Sequence, residues 1–159
     1  MWGFNHNFKR DIAIFDTTLR DGEQMPGVVF TPEEKVELAM KSSEFGSSVI
    51  NTMPSVSETE SSLVKEISNM GLNAEVCADT IMKKDHIQNS IDCGVQRIML
   101  FTSISDLHIK EKLRMTREEN LNRALEAIDF AKDHGVAIDF GFEDATRSDM
   151  DYLVHFIKS

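Results

Sequence analysis

The sequence predicts an α/β fold built on a parallel sheet with helical crossovers. Three features carry that expectation. Short apolar runs alternate with longer amphipathic segments five times in succession. Three of the amphipathic segments open with Ser or Thr followed three residues later by Glu, the spacing of a capping box. Four of them close on glycine, at Gly46, Gly71, Gly94 and Gly135.

In chain order, Ile12, Ala13 and Ile14 read as a buried first strand. A polar stretch follows, FDTTLRDGEQMPG over 15–27, with Asp16, Arg20, Asp21, Glu23 and Gln24 inside nine residues. Pro26 and Gly27 stop any regular element. Thr31-Pro32-Glu33-Glu34 caps the first helix, with Pro at its first position. Val36, Ala39 and Met40 form its buried face. A strand is expected at 48–51. Ser57 and Glu60 open the next helix, which carries Leu63, Val64, Ile67 and Met70 at helical spacing. The third strand is placed at 74–78, and a helix with Ile87 and Ile91 follows it. The fourth strand is RIMLF, 97–101. Thr116 and Glu119 cap a helix lined by Leu121, Ala124, Leu125, Ile128 and Ala131. The fifth strand spans 136–142. Ser148 starts a last helix with Leu153, Phe156 and Ile157.

Five such units fit an open doubly wound sheet or five eighths of a (β/α)8 barrel. The glycine fingerprint GxGxxG and the Walker P-loop are both absent from the sequence, which removes weight from the usual nucleotide-binding folds. In either architecture a ligand meets the carboxyl ends of the strands. Polar residues recur there: Arg20, Asp21 and Gln24; Asn51, Thr52 and Met53 before Pro54; Asp79 and Thr80; Thr102, Ser103 and His108; and Glu143 within GFEDATRSD. Each has a plainer explanation. Polar clusters after strands are commonly solvated loops, and a lone acid such as Asp79 is more often an Asx turn or helix cap. His86, His134 and His155 fall on helices or their ends, and His134 is placed to complement a helix dipole. Arg147 is either a surface residue or a support for the Glu143 loop. The nine methionines read as packing residues.

The chain has 159 residues, enough for one domain with a core. Its 41% hydrophobic and 28% charged content is that of a globular protein. No apolar run approaches the ~20 residues that span a bilayer. The opening MWGFNHNFKRD lacks the apolar core of a signal peptide. A net charge of -10 argues against a nucleic-acid partner. Cys77 and Cys93, with no CxxC spacing, read as free thiols of a reducing cytoplasm.

FDTTLRDGEQ resembles the first-strand signature of the metal-dependent Claisen-condensing enzymes: the 2-isopropylmalate, homocitrate and citramalate synthases. These are TIM barrels, with a pyruvate carboxyltransferase-like domain, in a superfamily shared with hydroxymethylglutaryl-CoA lyase. FTSISDLHIKEKLRMTREE and GFEDATRSD resemble the fourth- and fifth-strand segments of the same family, and MPSVSE fits its second-strand pattern. The resemblance runs from about Ile12 to Ser159 and selects the barrel. It implies that Arg20 polarises a 2-oxoacid carbonyl and Asp21 binds a divalent metal (Mg, Mn or Zn). Gln24 would lie near acetyl-CoA, and His108 and Thr102 at the substrate. Glu143 would support acid–base chemistry at the acetyl group. Asn51 stands where an acidic residue is common in that family.

The implied reaction joins acetyl-CoA to a 2-oxoacid, with 2-oxoisovalerate and leucine biosynthesis favoured. CoA phosphates would have to find local basic groups in an acidic chain. A closed barrel needs about 250 residues, and the family's HxH metal pair is absent, since none of the five histidines is two residues from another. Residues 1–159 are therefore expected to be the N-terminal part of a TIM-barrel catalytic domain, inactive alone. A second chain or a homo-oligomer would complete it. Two other readings are a non-catalytic, self-pairing half-barrel and a lyase or aldolase of the wider superfamily.

Overall fold

The computed structural model describes residues 12–159. Five strands form one sheet in the order β1 (Phe15–Asp16), β2 (Val49–Thr52), β3 (Glu75–Ile81), β4 (Arg97–Ser103) and β5 (Ala137–Glu143), with every pairing parallel. This order decides between the two architectures. A doubly wound sheet reverses its strand order to place helices on both faces. Right-handed crossovers between strands added always on the same side put every helix on one face. The result is a curled half-barrel. Its outer layer is α1 (Pro32–Phe45), α2 (Glu58–Ser68), α3 (Lys84–Asp92), the single turn α4 (Asp106–His108), α5 (Arg117–Asp133) and α6 (Met150–Lys158).

Strand alternation sorts the side chains. Ile50, Val76, Ala78, Ile98 and Leu100 point to the helices and are buried, against Val64, Ile67, Ile87, Ala124 and Ala131. The intervening residues line the concave face. At its lower end Arg97 spans three strands, with Nε 2.8 Å from Glu75 and Nη1 2.9 Å from Asp139.

Thr31 and Thr116 form complete capping boxes with Glu34 and Glu119. Ser57 accepts from the Glu60 amide, but the Glu60 carboxylate reaches Lys35 instead of turning back to its own cap. Gly46 ends α1 with φ 98°, in the left-handed region that favours glycine. Cys77 and Cys93 are buried free thiols, as expected. Burial foremost, with Asp79 and Asp139 nearby, pushes the Cys77 thiol up to about 12, so it is no nucleophile at neutral pH.

Several expectations shift. The first strand is Phe15–Asp16, not 12–14; Ile14 only accepts hydrogen bonds from Ser48 and Val49. Ile12 and Ile14 are exposed, because β1 has a single strand neighbour among the described residues. Met40 is exposed too, and α1 buries Lys35, Ala39 and Ser43. β3, β4 and β5 end three, two and one residues later than the apolar runs suggest. α6 is capped by Asp149, while the Ser148 hydroxyl donates to the Ala145 carbonyl. The segment MWGFNHNFKRD lies outside the described residues. Among those described, no helix is long and apolar enough to cross a membrane.

Candidate active site

The rim after β1 is a tight turn. The Thr17 carbonyl accepts from the amides of Arg20, Asp21 and Gly22, and Gly22–Gln24 continues as a 3-10 turn. Asp16 serves this turn rather than a ligand. Its carboxylate accepts from the Thr18 amide and the Ser42 hydroxyl, on the helix side of the sheet.

The turn lays the Arg20 guanidinium over the strand ends. Nη1 donates to Asp21 Oδ1 at 2.9 Å, and Nε stands 2.6 Å from Asp79 Oδ2. The Nε–H is turned off the line of a hydrogen bond, so this is a close ion pair. From β2, the Asn51 amide donates to Asp79 Oδ1 at 2.7 Å. Burial pushes the Asp79 carboxyl above its ordinary range, and the Asn51 amide and Arg20 only partly offset this. Asp79 is thus a wall residue of β3 and no Asx turn. Its run Val76-Cys77-Ala78-Asp79-Thr80-Ile81 alternates between the two faces, and that period could have placed it.

Gln24 is exposed at the mouth of a cavity of about 370 Å³ lined by Leu19, Arg20, Glu23, Lys35, Met53, Val56 and Glu60. Lys35 Nζ clamps this region, 2.7 Å from Glu23 and 2.8 Å from Glu60. Burial pulls its pKa down, but the two carboxylates outweigh that and raise it.

A second cluster follows β4 and β5. Glu143 Oε2 accepts from Ser103 Oγ at 2.7 Å and from Lys112 Nζ at 2.6 Å. Burial works to raise the Glu143 pKa, but Lys112 and Ser103 prevail and hold it low. Next to it Asp144, at φ 61°, accepts from Ser105 Oγ and Arg147 Nε, both at 2.6 Å. Ser105 first and Arg147 second hold its pKa down. His108 Nε2 is 3.7 Å from Asp144, and its buried Nδ1 has no partner among the described residues. Arg147 thereby supports the Glu143 loop. Asp144 was not expected as a site residue; its place in GFEDATRSD was the available signal.

Thr102 corrects an expectation. Its hydroxyl donates to Asn120 Oδ1 at 2.7 Å, on the helix side of β4, so strand parity turns it away from the substrate position. Ser103, one residue on, faces Glu143 instead. Of the remaining histidines, His134 caps α5 with its ring 2.7 Å from the Phe130 carbonyl, His86 lies on α3 and His155 in the last turn of α6.

The described residues do not make a complete metal centre. Among those described, no three His, Cys, Asp or Glu converge on one point. Asp21 offers one exposed carboxylate, with one oxygen already on Arg20.

A parallel half-barrel with its polar residues at the carboxyl rim defines a class of TIM-barrel protein. The Bacillus subtilis HMG-CoA lyase shares this architecture, with a TM-score of 0.75 at 16% identity over 92% of this chain and 53% of that one. The chain belongs to the HMGL-like family, whose model matches residues 11–159. The homocitrate synthase AksA of Methanothermobacter thermautotrophicus is 52% identical over 147 residues, 92% of this chain and 38% of that protein. The 2-isopropylmalate synthase of Methanocaldococcus jannaschii is 44% identical over 155 residues, 97% and 30%. A putative (R)-citramalate synthase from the first of these organisms is 43% identical over 143 residues, 89% and 29%. The relatives are the synthases that FDTTLRDGEQ resembles, and the chain spans about a third of their length.

Proposed function

We propose that this chain is the N-terminal part of a TIM-barrel catalytic domain that condenses acetyl-CoA with a 2-oxoacid in the cytoplasm. The observation that carries this is Arg20, a guanidinium held over the strand ends by two carboxylates, beside a cavity and above the same concave face as Glu143. The acetyl methyl loses a proton, and the resulting carbanion equivalent attacks the 2-oxo carbon. The carbonyl oxygen becomes an alkoxide, which Arg20 stabilises by charge and hydrogen bonding until it takes up the proton that the methyl released. Water then cleaves the thioester and releases CoA. Glu143, kept ionised by Lys112 and Ser103, is a weak base, so it orients the acyl group and relays the proton rather than abstracting it unaided. His108 and Gln24 border the substrate and acyl-CoA positions.

Asp21 would supply one carboxylate ligand to a divalent ion, Mg, Mn or Zn, which would add Lewis-acid polarisation of the carbonyl. The other ligands are not among the described residues, so the chain alone is expected to be inactive until a second chain or copy supplies them. The 2-oxoacid class is supported, with 2-oxoisovalerate and leucine biosynthesis preferred over homocitrate and citramalate chemistry.

The test mixes the purified chain with acetyl-CoA and a panel of 2-oxoacids, following free thiol and, separately, 2-oxoacid binding. The expected result is binding that Arg20→Ala abolishes, with no thiol release. Thiol release coupled to 2-oxoacid would refute the incompleteness, and binding indifferent to Arg20→Ala would refute the role of Arg20.

A further inference from the structure

Asp79 has no role in the chemistry above, yet it is built into the site. Its residue is 6% exposed, and both carboxylate oxygens are engaged by polar side chains, Oδ2 by Arg20 and Oδ1 by Asn51. Arg20 stands on a turn, and its other acidic partner, Asp21, is its exposed neighbour on the same turn, so it cannot anchor the side chain. Asp79 belongs to a strand paired on both sides. A guanidinium is planar and rigid, so a carboxylate paired with it at Nε sets where its remaining donors point.

We propose that Asp79 is the positioning residue of Arg20: from the rigid wall of β3 its carboxylate pairs with the guanidinium at Nε and leaves Nη2 to face the 2-oxoacid oxygen. Asn51 completes the device. Its amide fixes the Asp79 carboxylate from the adjacent strand, whereas an acid at position 51 would set two like charges 2.7 Å apart. The amide in β2 and the acid in β3 work as a pair. This inference rests on Arg20 being the group that meets a 2-oxoacid.

The experiment uses the whole chain labelled with 15N-arginine. The Arg20 Nε–H signal is assigned by its loss in Arg20→Lys, and pyruvate is the probe. Asp79→Asn is expected to move the Arg20 signal and weaken pyruvate binding about tenfold, the scale of one charge-assisted contact. The exchange Asn51→Asp with Asp79→Asn returns a carboxylate to the same pair one strand over. It is expected to restore the signal and recover binding to within about threefold. An Arg20 signal unmoved by Asp79→Asn overturns the proposal, as does a moved signal with unchanged pyruvate affinity. If Asp79→Asn does not fold, the exchange variant decides, and failure to recover the signal overturns it. A wild-type chain that ignores pyruvate while its Arg20 signal still depends on Asp79 supports the positioning and refutes the 2-oxoacid reading instead.

Discussion

At Asp79 the stability of the fold and the needs of the site pull in opposite directions. Burial raises its pKa above the ordinary 3.8 despite Arg20 and Asn51. A carboxyl whose folded pKa lies above its unfolded one costs stability wherever both states are ionised. The cost is relieved as pH falls through the folded pKa and is gone below the unfolded value. Asp79→Asn is therefore expected to raise Tm at neutral pH, with the gain shrinking on acidification. Thermal melts across that range check it, and a lower Tm at neutral pH would mean that the Arg20 pair outweighs burial. A residue that costs stability while holding Arg20 is what a functional site contains. Arg20, Asp21, Gln24 and Glu143 were singled out because they sit in long, specific strings, and the fold sets them at the carboxyl ends of the strands. Asp79 stands alone in the sequence, and only a neighbour 59 positions away, Arg20, shows its purpose. Thr102 and Ser103 differ by one residue and so by one face of β4, which the sequence marks only once the strand's register is known.

Helix starts were the most legible elements, because a cap is a local device. Thr31 and Thr116 sit where their sequences place them. Ser57 shows the limit: its hydroxyl caps α2, but Glu60 prefers the buried ammonium of Lys35, 25 positions earlier. Lys35 itself lies outside the buried face expected from Val36, Ala39 and Met40, and its contacts with Glu23 and Glu60 bury it all the same. Strand ends were misplaced for a related reason. Apolar runs stop where strands reach the polar rim, although pairing continues, as Ile81 with Phe101 and Ser103 with Glu143 show. Lys35→Met keeps the bulk of the side chain but strips the charge from between two carboxylates. It is expected to destabilise the fold by about 3 kcal/mol, in the range for breaking a buried pair. Thr116→Ala, the loss of one exposed cap, should cost about 1 kcal/mol. Urea titrations of both variants test the ranking, and an equal or reversed order would show that the clamp contributes little.

For the molecule as a whole, the alternation of strand and helix conveyed the parallel sheet, but its curl is not a property of any one segment. Both the flat and the curled arrangements use the same βα unit. They differ in where each new strand is added, which is decided by packing between units. Adding always on one side leaves two strands, β1 and β5, each with a single neighbour among the described residues. Beside β5 lies an apolar groove of about 330 Å³, walled by Leu121, Leu125, Ile128, Phe140, Phe142, Phe156 and Ile157. At the other edge Ile12, Ile14 and Phe15 are exposed. Unpaired backbone next to exposed apolar side chains is a template for further pairing. The net charge of -10 opposes this, but at physiological salt the repulsion reaches only about 8 Å. The purified chain is therefore expected to self-associate, more strongly as salt screens the repulsion. Sedimentation velocity over a range of concentration and salt should show particles heavier than 18.0 kDa. Ile14→Lys, which adds a charge to the β1 edge without touching the rim, should shift the distribution toward the monomer. A chain that sediments as a monomer at every concentration and salt would show that the edges are already protected, and self-pairing would then be excluded as the way a complete site is assembled.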